Sequence, residues 1–212
     1  APLKLACAEF IAQTGMDLPA SGSVNTVRFR AQQIDGVANT DIAGFDFLLG
    51  SSRPRSVGVL GAGGVVPSVL SVLQQRQVSD VVVYNRSSPR SEYALELLAS
   101  APNWAWHGIE DLSVMIGAHD VVIHALPIQA RAWSIGFDWR HLKNKCRFID
   151  LNYGTFADEL AGCVRRTGIE YSDGLPMLVK QAGESFEFWS GHPIPKCVFG
   201  DIIRDIDQIP PG

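Results

Sequence analysis

The sequence predicts an α/β fold in which a parallel sheet is covered by helices, with a smaller α/β segment of different character ahead of it. Three observations carry that expectation. From Val57 onward, short β-branched runs alternate with helix-length amphipathic stretches, the pattern of strands joined by crossover helices. The runs Val57–Leu60, Val81–Tyr84, Val121–Ala125 and Arg147–Leu151 are nearly all apolar, as strands covered on both faces must be. The first of them leads directly into a glycine turn and a helix, which gives the unit a Rossmann-like character.

In chain order, residues 1–50 read as a helix over Leu3–Gln13, an extended Val24–Arg30, a turn at Gln33–Gly36 and a helix from about Asp41 to Leu49, with Thr40 placed as its N-cap. The run Gly50-Ser51-Ser52-Arg53-Pro54-Arg55 is a linker by composition. The Rossmann-like unit then occupies 51–175, with helices over Val65–Arg76, Pro89–Ser100 and Glu110–Gly117, the last closing on a glycine. In the remaining segment, 176–212, Pro176–Ser190 is a long helix whose Leu178, Ala182, Phe186 and Trp189 recur at spacings of three and four.

The 212 residues carry 18 Lys and Arg against 22 Asp and Glu, a formal charge of −4, so nothing in the balance points to nucleic acid. At 46% hydrophobic and 19% charged, the chain is neither disordered, collagenous nor a coiled coil, and it is long enough to bury a real core. Cys7, Cys146, Cys163 and Cys197 form no CxxC pair and read as free thiols in a reducing compartment. The longest uncharged stretch, Ser56–Gln75, has the length of a membrane span, but its glycines, serines and Pro67 break its apolar character. Glu9 interrupts the apolar start and no signal-peptide layout is present. The expectation is a cytoplasmic protein without a membrane partner.

The strongest chemical signal is Val59-Leu60-Gly61-Ala62-Gly63-Gly64-Val65-Val66. Glycines there let backbone approach a pyrophosphate, and the free N–H groups and dipole of the helix start stabilise its charge. Val66 stands at the third glycine position, and glycine turns also open helices for purely steric reasons; the strand-turn-helix context favours the dinucleotide. Pro67 falls in the first helical turn, where a missing N–H costs little. The second strand ends in Asn85-Arg86-Ser87-Ser88-Pro89-Arg90 without the acid that would bind ribose hydroxyls in an NAD site. Arg86, Ser87 and Arg90 suit a 2′-phosphate instead and predict NADP(H); read alone, they are equally a solvated loop.

Six motifs in order extend over nearly the whole chain. Pro2-Leu3-Lys4 resembles the PxK, Ser23-Val24-Asn25-Thr26-Val27 the AVNTV and Asn39-Thr40-Asp41 the NTD of the shikimate dehydrogenase (shikimate/quinate 5-dehydrogenase) family. Gly61-Ala62-Gly63-Gly64 is similar to its GAGG loop, Asn85-Arg86-Ser87 to its NRT/S, and the run from Asp173 to Gln181 to its DGxxMLxxQ. The resemblance implies NADPH-linked reduction of 3-dehydroshikimate to shikimate, a step of aromatic amino acid (chorismate) biosynthesis, in a monomer or homodimer. It makes residues 1–50 part of a substrate-binding domain, to which 176–212 returns. Lys4 and Asp41 become the catalytic pair, Asn25, Tyr153 and Gln181 the substrate contacts, and Leu151 and Gly174 the nicotinamide end. Gly61, Ala62, Gly63, Gly64, Val65, Asn85, Arg86, Ser87 and Arg90 become the rest of the cofactor site.

The chemistry suits those residue types. Hydride transfer to a ketone develops negative charge on oxygen, which an ammonium supplies with a proton or stabilises, and a carboxylate orients that ammonium. Amides suit a polyol because each both donates and accepts. Without the resemblance, Lys4 is an ordinary lysine near the chain start, Asp41 a helix-start acid favoured by the dipole, Gln181 a solvent-facing helix residue and Asn25 a strand-edge residue.

Departures from the family pattern are Ala38 before the NTD, Pro67 in place of an Arg, His124-Ala125-Leu126-Pro127 for an NATP-like turn, and Gly154-Thr155 after Tyr153. They leave open a quinate or aminoshikimate dehydrogenase, or a non-catalytic NADP-binding regulatory module. The family also has a further N-terminal segment with a Ser-x-Ser for the substrate carboxylate, whereas this sequence starts just before its PxK. The corresponding expectation is a truncated substrate lobe, poorly ordered or paired with another chain. Either a longer natural chain exists or the 212 residues bind cofactor without useful turnover. His107, His119, His124, His141 and His192 show no metal spacing. Arg140, Lys143, Lys145 and Arg147 read as a solvated loop, and the tryptophans are too dispersed for a base-stacking platform.

Overall fold

The computed structural model describes residues 3–19, 21–142 and 145–207. Pro2 of the PxK pattern, Lys143 and the Cys197 side chain lie outside what is described. The chain opens with helix α1 (Leu3–Gln13), an antiparallel hairpin of β1 (Thr26–Arg30) and β2 (Gln33–Ala38), and α2 (Asp41–Leu49). It continues through β3 (Ser56–Leu60), α3 (Val66–Gln75), β4 (Asp80–Tyr84), α4 (Glu92–Ser100), β5 (Trp104–His107), the short α5 (Leu112–Met115) and β6 (Val121–His124). Then follow α6 (Arg131–Gly136), β7 (Arg147–Asp150), α7 (Thr155–Arg165), β8 (Glu170–Ser172), α8 (Leu175–Ser190) and α9 (Lys196–Asp207).

The sheet order is β5-β4-β3-β6-β7-β8, parallel throughout. The chain winds outward from β3 through β4 to β5, then crosses back to β6 and winds the other way. That reversal opens a crevice at the carboxyl ends of β3 and β6, where ligands of such sheets bind. Alternation along the strands feeds two apolar layers. Val57, Val59, Val81, Val83, Val121 and Ile123 pack with Phe45 and Leu49 of α2 and Val69 and Leu73 of α3. Leu60, Tyr84, Val122 and Phe148 pack with Leu112, Trp139, Leu160 and Val164 on the other face.

The four central strands lie where the apolar runs place them; the edges differ. Strands β5 and β8 were not expected: Trp106 of β5 is 39% exposed and β8 is three largely polar residues, so neither carries the continuous apolar signal of a covered strand. Helices α7 and α9 are likewise additional. The expected turn at Gln33–Gly36 belongs instead to β2. The chain reverses at Ala31 and Gln32, with φ of 49° and 65°, a left-handed pair that normally advertises itself through Gly or Asn. The helix expected from Pro89 starts at Glu92, where the Ser91 hydroxyl accepts the Ala94 N–H at 3.3 Å. The one over Glu110–Gly117 is two 3₁₀ turns flanking α5.

Thr40 precedes α2 but does not cap it with its side chain; Asn39 Oδ1 instead accepts the Asp41 N–H at 3.1 Å. The apolar period of α8 also faces the other way from the expectation, leaving Phe186 51% and Trp189 56% exposed and burying Leu175, Met177, Val179, Gly183 and Ser185. Close packing on α2 accompanies this choice: a Cβ at Gly44 would lie 2.9 Å from the Met177 carbonyl oxygen, so the bare glycine lets α2 close directly onto α8 at Met177 and Gln181. Arg147 is no solvated residue. Its guanidinium donates to the Leu48 and Leu49 carbonyls at 3.0 Å each, satisfying the last turn of α2.

Candidate active site

The crevice at the switch point is a cleft of about 790 Å³. Its floor is the turn from Gly61 to Gly64. Gly61 has φ of 108°, and a Cβ there would lie 2.8 Å from the Ala125 carbonyl oxygen, so the position admits only glycine. Gly63 has nothing within 4 Å of where a Cβ would sit; its missing side chain leaves open space at the start of α3. One side of the cleft is the loop after β4, where Asn85 Nδ2 donates to the Ser87 carbonyl at 2.8 Å and Arg86, Ser87 and Arg90 stand exposed. Neither arginine is ion-paired among the described residues. The opposite side is Ala125, Leu126 and Pro127 after β6, with Ala132 and Trp133 of α6. Trp133 packs on Phe137 and Trp139, with ring centroids 5.1 and 6.5 Å away.

The second group of polar residues gathers where α1, the hairpin, α2 and α8 meet. Lys4 Nζ is ion-paired with the Asp41 carboxylate. Asn25 Nδ2 donates to the other Asp41 oxygen at 3.0 Å and to Thr40 Oγ1 at 3.1 Å, while its Oδ1 accepts the Thr40 N–H at 3.0 Å. Thr40 Oγ1 also lies 3.4 Å from Gln181 Oε1 and 3.1 Å from Ser185 Oγ on successive turns of α8. Behind them Asn39 Nδ2 points at the hydroxyls of Ser21, Ser23 and Ser68, at 2.5, 2.7 and 2.9 Å. Ser68 belongs to α3, so the Asn39–Asp41 segment is tied to the helix that rises from the glycine turn.

The structure therefore brings Lys4, Asp41, Asn25 and Gln181 together, and places Gly61–Gly64, Asn85, Arg86, Ser87 and Arg90 around one cleft. Val65 lies just behind the cleft, half-buried at the head of α3. Leu151 and Gly174 do meet, away from the cleft lining: the Gly174 N–H donates to Asn152 O at 2.8 Å, and a Cβ on Gly174 would fall 2.4 Å from Leu151 O. Tyr153 stays apart, 52% exposed on the turn after β7. Sequence reasoning missed Thr40, Ser185 and Trp133 as site-forming residues, and it passed over His124 with the other histidines. The last had a faint signal: His124 and Asp150 are polar residues near the ends of the largely apolar runs Val121–Ala125 and Arg147–Leu151. Among the described residues no group of three or more His, Cys, Asp or Glu is placed to hold a metal ion, and no helix is long and apolar enough to cross a membrane.

Comparison with known proteins shows what this arrangement is similar to. A model of the family "Shikimate / quinate 5-dehydrogenase" matches residues 47–134. A shikimate dehydrogenase (NADP(+)) of Xanthomonas campestris pv. campestris (strain B100) is 31% identical over 217 residues, covering 98% of this chain and 76% of the relative. The crystal structure of Mycobacterium tuberculosis shikimate dehydrogenase superposes with a TM-score of 0.73 at 25% identity, over 93% of this chain and 75% of that one. A shikimate 5-dehydrogenase from Thermus thermophilus, in complex with NADP(H) and shikimate, shares the fold with a TM-score of 0.72 at 23% identity, over 96% and 76% of the two chains.

Proposed function

The chain belongs to the shikimate dehydrogenase family, and on that basis we propose that it catalyses the reversible NADPH-dependent reduction of 3-dehydroshikimate to shikimate. The observation that carries the reading is the Lys4–Asp41 ion pair, buttressed by Asn25, in the same molecule as a glycine-floored cleft edged by the exposed Arg86 and Arg90. The cleft fits a phosphorylated dinucleotide: Gly63 leaves room for the pyrophosphate, and Arg86 and Arg90 present planar donors for a 2′-phosphate, with Ser87 between them. Bound NADPH supplies the hydride. Ala62, Gly64, Val65 and Asn85 complete the cofactor contacts, and Leu151 and Gly174 border the nicotinamide end.

In this reading the Lys4 ammonium faces the substrate carbonyl, gives its proton to the developing alkoxide and regains one from solvent in the next cycle. Asp41 fixes the ammonium, and Asn25, bonded to Asp41 and Thr40, holds the carboxylate while forming one edge of the substrate pocket. Gln181 and Tyr153 offer an amide and a phenol to the remaining hydroxyls. Residues up to 50, with α8 and α9, act as the substrate lobe; residues 51–175 act as the cofactor domain. The small-molecule chemistry and the free thiols of Cys7 and Cys163 fit a cytoplasmic enzyme, as monomer or homodimer.

The test is the NADP(H)-dependent absorbance change with shikimate and quinate offered side by side. Turnover with shikimate exceeding that with quinate is the expected result. Turnover of quinate alone would move the assignment to the quinate branch. NADPH binding without turnover of either would leave a cofactor-binding module and sink the enzymatic reading.

A further inference from the structure

At the carboxyl edge of the sheet, β6 and β7 end side by side on His124 and Asp150, which are partners in the strand register. Both side chains are fully buried. Asp150 Oδ1 accepts from His124 Nδ1 at 2.9 Å, from the Asn152 backbone N–H at 3.0 Å and from Asn152 Nδ2 at 2.8 Å. Its Oδ2 accepts from the Tyr171 hydroxyl at 2.9 Å. With Nδ1–H committed to the carboxylate, His124 Nε2 is left to accept from the Ser134 hydroxyl, 2.9 Å away. The order Ser-His-Asp is that of a nucleophilic triad, but Ser134 is fully buried, so no substrate carbonyl reaches its oxygen and acyl transfer is excluded.

What this chain of bonds holds is the two flanks of the site. Ala125, Leu126 and Pro127 follow His124, and Ala132 and Trp133 precede Ser134; together they make the wall facing the glycine turn. Asn152, fixed by Asp150, also donates to the Leu126 carbonyl at 3.1 Å and sits between Leu151 and Tyr153. One buried carboxylate thus anchors the cofactor wall and the turn that carries the substrate-side residues. The imidazole spans the gap from Asp150 to Ser134, bonded to each at 2.9 Å. An apolar residue at 124 would leave both polar groups buried without that partner.

We propose that Asp150 and His124 form a positioning pair for the reduction: Asp150 sets the 151–153 turn, and His124 carries that position through Ser134 to the helix bearing Trp133. The proposal rests on the dehydrogenase reading for its substrate half only, because the cofactor half is read by NADPH binding without turnover. A structural role alone would lower the melting temperature of every variant while leaving affinities alike. A positioning role separates them.

The experiment uses the full chain, with calorimetric titration of NADPH beside steady-state kinetics in shikimate. Ser134→Ala and His124→Asn keep Asp150 and its hold on the turn but lose the link to α6. Each is expected to weaken NADPH binding about 3- to 10-fold, the scale of one neutral hydrogen bond, with KM for shikimate unchanged. Asp150→Asn loosens both flanks, and should weaken NADPH binding and raise KM for shikimate about 10-fold or more while lowering kcat. Wild-type NADPH affinity in both Ser134→Ala and His124→Asn overturns the proposal even if the wild-type enzyme turns over normally. A wild-type protein that binds NADPH but reduces nothing overturns the dehydrogenase reading and with it the substrate half, while weakened NADPH binding in Ser134→Ala still supports the cofactor half. If Asp150→Asn does not fold, the two milder variants decide the matter.

Discussion

The cofactor cleft and the Lys4–Asp41 pocket are built by opposite means. At the floor of the cleft, position is set by backbone: Gly61 and Ala125 directly follow β3 and β6, their N–H groups donate to the Tyr84 and Leu60 carbonyls at 2.8 Å each, and Leu60, Tyr84 and Ile123 are fully buried. In the pocket, position is set by side chains that hold one another, Lys4 on Asp41, Asn25 on Asp41 and Thr40, and Asn39 on three serines, with only a two-stranded hairpin and three helices beneath. A site held by backbone tolerates the loss of one side chain; a site held by mutual hydrogen bonds does not. The pocket should therefore fail through its polar residues, and the glycine-turn floor of the cleft through its glycines.

The largest effect belongs to the pocket. Lys4→Ala is expected to lower turnover by ~10²-fold or more while leaving NADPH affinity within about two-fold, because the proton donor and the cofactor contacts lie in different halves. Comparable losses in turnover and in NADPH binding, measured by steady-state kinetics and titration, would erase the distinction between the two halves.

Next come two glycines of the same turn, which separate backbone strain from occupied space. Gly61→Ala meets the Ala125 carbonyl at 2.8 Å in a left-handed conformation, and should cost roughly 1–3 kcal/mol of folding stability as well as cofactor affinity. Gly63→Ala meets nothing within 4 Å. It should melt near the wild type yet weaken NADPH binding about ten-fold or more, because the methyl group takes the space that the pyrophosphate needs. Paired melting and titration curves check both; equal melting temperatures for the two variants would show that the turn is not strained at Gly61.

The same division explains what the sequence disclosed. Central strands were legible because burial on both faces leaves a continuous apolar run, as in Val81–Tyr84; β5 and β8, on the sheet edges, carry no such run. The hairpin reversal at Ala31 and Gln32 was hidden because neither residue type advertises positive φ, and the buried face of α8 because it pairs Leu175, Met177 and Val179 with the small Gly183 and Ser185 and leaves the aromatic Phe186 and Trp189 outside. The glycine turn and the arginine loop are local and could be read directly. Lys4 and Asp41 lie 37 residues apart and each alone is ordinary, so only a motif pattern joined them. His124 and Asp150 lie 26 apart, on neighbouring strand ends, and no motif names their partnership.

Arg86→Ala sharpens the comparison from the cleft side. The guanidinium is exposed and has no ion-pair partner among the described residues, so its removal should leave the fold untouched and weaken NADPH binding by about ten-fold, the lower end of a charge-assisted contact. NADH, without the 2′-phosphate, should bind the variant as it binds the wild type. Titration with both dinucleotides checks this, and an unchanged NADPH affinity would return Arg86 to the role of a solvated loop residue.

The smallest effect is one of pH, and it falls on the cofactor half because the buried Tyr84 and the half-buried Tyr171 lie there. Burial, and then the Asp150 carboxylate, push the Tyr171 phenol well above its ordinary value of 10.0; burial does the same to Tyr84, with Asp111 adding to it. For a group raised in the folded state, the stabilisation is complete below the unfolded value and falls as pH climbs past it. The unfolded chain releases that proton while the folded one keeps it. Stability should accordingly decline from about pH 10 upward. Tyr171→Phe loses the bond to Asp150 and is less stable at neutral pH, but its alkaline decline should be shallower than the wild type's, with Tyr84 supplying what remains. Urea unfolding at neutral pH and above pH 10 measures the two slopes, and parallel slopes would mean that the Tyr171 phenol ionises in the folded protein as readily as in the unfolded chain.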